Sequence, residues 1–226
     1  MNKIAVYTCV TGGYDSIKED HLFEDGVDYH FYTEKDTLSK DGWWEYRHAK
    51  RLFIDPRRDA RRYKILSHRF FPEYDYTVWI DGSIQLDVKA TTLIDEMGDA
   101  DMLTFRHPER TTVAEEAEEC MTMKLDNTHT IAEHALRMHS EGFPDDVGLY
   151  ETKCVVRKNN PTIELLNREW FYQMVNGSLR DQLSLPYAVW YSGAKVKTME
   201  PIRHSTPERR NDWFKFSKHP ERTVYK

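Results

Sequence analysis

Cysteine is scarce in this chain. Cys9, Cys120 and Cys154 stand far apart in 226 residues with no Cys-x-x-Cys spacing, which points to reduced core thiols and not to a disulfide framework. No run approaches the roughly 18–20 apolar residues that a membrane helix needs. Met1-Asn2-Lys3 leads straight into a strand-like segment in place of a signal peptide, so no membrane span and a cytoplasmic location are expected. The net charge of −6 lacks the basic excess of a duplex-binding protein, and no nucleic-acid partner is expected. Gly-x-Gly-x-x-Gly, a Walker loop, His-Glu-x-x-His and Gly-x-Ser-x-Gly are all missing, which argues against a dinucleotide fingerprint, a P-loop, a zinc protease and a serine hydrolase. His129, His134 and His139 recur at spacing five, which spreads them around a helix and gathers no zinc ligands. There is no internal repeat and no low-complexity linker.

What is present is a 39% hydrophobic, 13% aromatic chain whose apolar residues fall in short clusters between charged stretches. One domain over residues 1–226 is expected, with 202–226 as an irregular tail over the sheet edge. Strand patterns at Lys3–Thr8, Tyr29–Thr33, Tyr76–Ile80, Asp101–Phe105 and Tyr150–Arg157 are separated by helical ones at Pro56–Phe70, Val113–Gly142, Pro161–Val175 and Arg180–Tyr191, the last interrupted near Pro186. Trp43-Trp44-Glu45-Tyr46 reads as an aromatic segment lying over the sheet. Alternation of this kind indicates an α/β fold, a mostly parallel central sheet with helices on both faces.

Tyr76-Thr77-Val78-Trp79-Ile80 is a buried strand that stops on Asp81, which places a carboxylate at the carboxyl edge where open α/β sheets bind ligands. Asp81 with Ser83 and Gln85 offers one anionic and two neutral oxygens, a set that suits Mg²⁺ or Mn²⁺ beside a diphosphate; a plain Asp-Gly turn explains it equally. Seventeen residues earlier, Arg61, Lys64, Ile65 and His68 share one helix face and would aim two cations and a ring at that strand's mouth, unless the face is merely solvated. They belong to a basic island from Arg47 to Arg69 that suits a small polyanion. Thr8, Thr11, Gly12, Gly13, Tyr14 and Asp15 combine hydroxyls, backbone amides, a ring and a carboxylate that could hold a nucleoside; a strand-to-helix turn is the plainer account. Asp181 opens a helix, where the dipole favours a carboxylate and Ser178 could cap, or else it faces a sugar. His204 could return an imidazole to a metal at the sheet edge, although a lone histidine is normally no ligand.

Arg61-Arg62-Tyr63-Lys64-Ile65, Phe70-Phe71-Pro72, Trp79-Ile80-Asp81-Gly82-Ser83, Leu149-Tyr150-Glu151 and Arg180-Asp181-Gln182-Leu183-Ser184 together resemble the GT-A nucleotide-sugar glycosyltransferases. In particular they are similar to the glycosyltransferase-like domain family with plant mucilage-related and alkaline ceramidase-described members. The resemblance covers about Lys3 to His204 and implies a single GT-A-like, Rossmann-like domain. It further implies a UDP-type sugar donor, Mn²⁺ or Mg²⁺, and a glycan or other hydroxyl acceptor. Under it Asp81, Ser83 and His204 hold the metal. Lys64, Arg61, Gly82 and the Thr8, Thr11, Gly12, Tyr14 and Asp15 loop hold the donor. Asp181 and Gln182 face the sugar in catalysis, with retention slightly favoured over inversion. Ser83 departs from the second acid of the Asp-x-Asp motif. That departure motivates the alternative of a noncatalytic nucleotide-sugar or glycan-binding module; a lipid amidohydrolase enters only through the ceramidase description.

Overall fold

The first strand, β1 (Ile4–Val10), is apolar on both faces because it runs through the middle of a sheet that is covered on both sides. Parallel β2 (Val27–Thr33) and β4 (Tyr76–Ile80) flank it, and β3 (Trp44–His48) adds a parallel edge beyond β2. Next to β4, strand β7 (Tyr150–Lys158) runs antiparallel, pairing on its far side with β6 (Met102–Arg106), which in turn lies parallel to β8 (Val196–Met199). The seven strands therefore stand in the order β3-β2-β1-β4-β7-β6-β8, a mostly parallel sheet with one reversed strand. A two-stranded ribbon joins β5 (Ile84–Leu86) to β9 (Phe214–Phe216). The computed structural model describes residues 2–13, 15, 18, 20–35, 42–201 and 212–216.

Helices cover both faces. On one, α1 (Pro56–Ile65), α2 (Ser67–Phe70), α6 (Pro161–Asn176) and α7 (Asp181–Ser192) set Ile65, Trp170 and Leu185 against Tyr7, Trp79 and Val155. On the other, α3 (Ala90–Met97) and the ribbon set Leu93, Met97 and Phe214 against Val6, Val78 and Val156. Alternation along each strand sends successive side chains into these two cores. A third cluster packs α4 (Val113–Thr122) and α5 (Thr128–Ser140) against the first turns of α7 through Ala117, Ile131 and Leu183. All three cysteines are buried and free. No described helix is long and apolar enough to cross a membrane.

Four details differ from the sequence pattern. Trp44–His48 does not lie over the sheet but forms its edge strand β3. The helix from Pro56 ends at Ile65, because Leu66 leaves helical geometry at φ −87°, ψ 41°, and α2 starts afresh. Arg157, fully buried, takes up the carbonyls of Lys64 at 2.6 Å and Ile65 at 3.1 Å that this ending exposes. Residues 113–142 hold two helices, parted by a turn in which Lys124 has φ 52°. Helix α7 runs unbroken through Pro186, which withholds one N–H without ending the helix. β5, β8 and β9, three or four residues each, are too short to show a period, and β9 falls within the expected tail; α3 does carry a helical period through Ala90, Leu93 and Met97 and adds to the expected elements.

Candidate functional site

Lys64 ends α1, and its ammonium stands between two carboxylates brought by other elements. Nζ lies 2.7 Å from Asp181 Oδ2, 2.9 Å from Thr152 Oγ1 and 3.3 Å from Asp81 Oδ1, so each of its three N–H bonds has an acceptor. Thr152 donates onward to Asp181 Oδ2 at 2.9 Å, and Arg61 Nη2 lies 3.6 Å from Asp181 Oδ1. Asp81 follows β4, where strand alternation puts it on the same side as Trp79, and the indole N–H donates to its Oδ1 at 2.7 Å. The turn after Asp81 is closed by its backbone carbonyl, to Ile84 N–H at 2.9 Å, which leaves the carboxylate to Lys64 and Trp79. Burial alone would raise the Asp181 carboxyl, but the Lys64 ammonium and the Arg61 guanidinium outweigh it and hold this group far below the usual carboxylate range.

These groups line a cavity of about 370 Å³ at the carboxyl edge of the parallel strands. One wall is built from the end of β1, from Asp15, from Arg57, Arg61 and Lys64 of α1, and from Asp81 and Gly82 after β4. The facing wall comes from His107 to Arg110 after β6, Glu116 of α4, Glu151 to Lys153 of β7, and Arg180 to Gln182 at the start of α7. A register shift opposite Thr104 and Phe105 bulges β7 here, which turns Thr152 towards Lys64.

Glu116 organises that second wall. Its side chain is 2% exposed and receives Arg110 Nε at 2.6 Å and the Cys120 thiol at 3.3 Å, with Arg180 Nη2 at 3.7 Å. His107 accepts the Arg110 N–H at 3.0 Å through Nδ1, which leaves the proton on Nε2, 3.5 Å from Glu116. Arg180 in turn donates to Gln182 Oε1 at 2.6 Å. The α7 start is pinned from behind: Asp126 accepts from Ser178 Oγ and Leu179 N–H, and His134 Nδ1 accepts the Ser178 N–H at 3.2 Å. Ser178 itself accepts from Arg180 N–H at 3.1 Å, while Arg180 holds the cap position.

Of the residues singled out in the sequence, Thr11, Asp15, Arg61, Lys64, Asp81, Gly82, Asp181 and Gln182 line this cavity. Thr8 does not; it is buried on the opposite side of β1 from Tyr7 and Cys9. Ser83 is also buried off the lining, and Gln85 Nε2 is turned to Asp87 at 2.8 Å. His68 sits on α2 beyond the break, against Asn167, and burial pushes its ring down to about 4. Tyr14 and His204 lie outside the described residues. The basic island is divided: Arg47 pairs with Glu45 and Arg51 with Glu34 and Asp59, and of its members only Arg57, Arg61 and Lys64 line the cavity.

Gly12 is fixed by the loop around it. Its φ is +64°, its N–H donates to Glu34 at 2.6 Å, and a Cβ there would stand 2.6 Å from Pro56 Cγ. Gly12→Ala is therefore expected to destabilise the fold by roughly 1–3 kcal/mol in urea unfolding. A neutral result would remove this account. Gly82 matters for close approach, since a Cβ would come within 2.9 Å of Val10 and 3.1 Å of Asp15.

For a divalent ion the donor set is thin. No three His, Cys, Asp or Glu side chains gather as ligands among the described residues. Asp81, 34% exposed, is the expected ligand that reaches the cavity. One carboxylate fits Mg²⁺ or Mn²⁺ whose remaining oxygens arrive on a diphosphate, and does not fit an all-protein cage.

A family model described as TOD1/MUCI70, glycosyltransferase-like domain, matches residues 23–219. The chain is 27% identical to alkaline ceramidase TOD1 of Arabidopsis thaliana over 163 residues, which cover 66% of this chain and 35% of that protein. It is 26% identical to probable hexosyltransferase MUCI70 of the same plant over 210 residues, covering 80% and 36%. These matches span about a third of the length of those curated relatives.

Proposed function

The chain belongs to the TOD1/MUCI70 glycosyltransferase-like domain family, and from that premise we propose that it transfers a hexose from a nucleoside diphosphate, UDP first, to a hydroxyl of a glycan or other acceptor. The observation that carries this reading is Lys64 fixed between Asp81 and Asp181 in the cavity lining. Breaking a glycosidic bond to a diphosphate leaves negative charge on the leaving oxygens and positive charge on the sugar. A site with cations on one side and a fixed carboxylate on the other stabilises both. Lys64, Arg61 and Arg57 would face the diphosphate. Mn²⁺ or Mg²⁺, held by Asp81 and the phosphates, would supply further positive charge at the leaving group.

Asp181 then serves as a fixed anion beneath the donor sugar. A carboxyl held so far below the usual range is a poor proton acceptor near neutral pH, which leaves orientation and charge stabilisation as its role and withdraws general-base duty from it. On the facing wall Glu116 is occupied by Arg110 and Glu151 by Lys153. With these carboxylates engaged, we favour retention, the departing phosphate oxygen taking the acceptor's proton. Gln182, braced by Arg180, would hold a sugar hydroxyl.

Calorimetry with UDP and Mn²⁺ tests the reading. Wild type should bind, and Asp81→Ala should weaken binding by at least about tenfold, since a metal-coupled carboxylate is lost. Binding that is absent, or indifferent to Asp81, sinks it. The noncatalytic alternative draws on the burial of Ser83 away from the cavity; UDP binding without transfer or donor hydrolysis across a panel of nucleotide sugars would select it.

A further inference from the structure

Directly before α1, residues 51–54 form a loop that is built rigidly and yet turns aliphatic side chains to solvent. Asp59, fully buried, accepts the Leu52 N–H at 2.8 Å and the Phe53 N–H at 3.3 Å. Arg51 bridges Asp59 at 2.8 Å and donates to the carbonyls of Phe53 and Ile54 at 3.1 and 2.9 Å. With its backbone so tied, the loop leaves Leu52 57% and Ile54 101% exposed. Phe53 leans on Phe171 of α6, ring centroids 6.4 Å apart, and Val175, one helical turn on from Phe171, is 39% exposed. Loops normally carry polar residues at the surface, and here a buried carboxylate fixes the backbone of a tip that turns Leu52 and Ile54 to solvent.

Cations surround this tip. From Arg47 to Lys64 eight Lys and Arg stand against two acidic residues, Asp55 and Asp59, in a chain of net charge −6. Arg58 donates to the carbonyls of Met174 and Gly177, and Arg62 to that of Lys50, so these two spend their bonds on backbone and keep their charge for the surroundings. Lys50 is exposed. An acidic molecule that carries an apolar tip inside a basic collar has one face suited to an anionic surface and repels that surface elsewhere.

We infer that the Leu52-Phe53-Ile54 tip, with Lys50, Arg58 and Arg62 around it, docks on an anionic lipid bilayer. The aliphatic side chains enter the headgroup boundary and the cations meet lipid phosphates. Asp55, which follows the tip, pairs with Arg57 of the cavity wall, so the mouth of the cavity would lie close to the membrane plane. The inference does not depend on sugar transfer.

Vesicle co-sedimentation tests it. Wild type should pellet at least about tenfold more with vesicles containing about 30% phosphatidylserine than with phosphatidylcholine alone, and less as salt rises. Ile54→Glu with Leu52→Glu should abolish pelleting. Lys50→Glu with Arg62→Glu should remove the phosphatidylserine preference. The apolar pair should keep the wild-type thermal midpoint, with Leu52→Ser and Ile54→Ser as the substitute if it does not; since Arg62 also bonds the Lys50 carbonyl, Lys50→Glu alone, with a smaller loss of the phosphatidylserine preference, replaces the basic pair if that pair lowers the midpoint. Wild type left in the supernatant with both lipids overturns the proposal, as does pelleting that ignores the apolar variants. A dimer that these variants convert to monomer, with lipid binding unchanged, overturns it in favour of self-association.

Discussion

Asp181→Asn is expected to lower transfer by about 10²–10³-fold, the scale of losing one preorganised electrostatic partner of the transition state. The amide keeps the shape and the acceptor oxygen while removing the charge that Lys64 and Arg61 answer. UDP affinity should change far less than turnover if Asp181 faces the sugar as proposed. Equal turnover in mutant and wild type would end its assigned role. Stability should fall as well, by about 3 kcal/mol at neutral pH, since Lys64 stays buried with its strongest partner gone. That difference has a pH signature. The Asp181 carboxyl lies well below its ordinary value of 3.8 in the fold, so on acidification the unfolded chain takes up the proton first. Its contribution is complete above about pH 5 and is lost progressively below about pH 4. Urea midpoints of wild type and Asp181→Asn should therefore run parallel from pH 7 to about 5 and converge in stronger acid; a constant gap down to pH 2 would contradict the buried pair.

Glu116→Gln should have the second largest effect. It leaves two guanidiniums and a histidine N–H around one neutral oxygen, in a position that is 2% exposed. Arg110 and Arg180 are themselves about a quarter exposed, at 23% and 25%, so solvent recovers part of the loss and about 2–3 kcal/mol is expected. The functional consequence is indirect, because Glu116 acts through Arg180 on Gln182. Loss of that bracing should cost turnover about 10²-fold while UDP affinity stays near wild type, since the wall formed by β1, α1 and β4 is untouched. Parallel losses of nucleotide binding and turnover would mean that Glu116 merely supports the fold.

Asp81 and Asp181 were legible in the chain because each ends or begins an element whose direction the hydrophobic pattern reveals, and Lys64 because it shares a helix face with Arg61. The buried run to Ile80, the helix from Pro56 and the helix from Asp181 all open on the same edge of the sheet. Thr8 shows the limit of reading a loop as a list. On β1 it alternates with Tyr7 and Cys9, and that two-residue period already sends it to the other core. Gly12 suited a nucleoside-holding loop by type, yet what constrains its position is the closeness of Pro56, 44 positions away, which no local pattern contains. Glu116 sits in an acidic run with Glu115, Glu118 and Glu119 that resembles a solvated face. Its helical neighbours Val113, Ala117 and Cys120 are the buried ones, and that spacing was the available sign of an inward carboxylate. Lys153 and Thr152 follow from the reversal and bulge of β7, which depend on pairing across the sheet and leave no mark in the sequence, and Arg110 is held by the buried Glu116.

That reversal divides authorship of the cleft. One side is written by residues before position 83 and the other by residues after position 106, and Lys64 with Thr152 and Asp181 forms a stitch between them. A graft that exchanges the later half and keeps this stitch would inherit one partner's chemistry and acquire another's, so the donor and acceptor proposed for this cleft would be free to diversify separately.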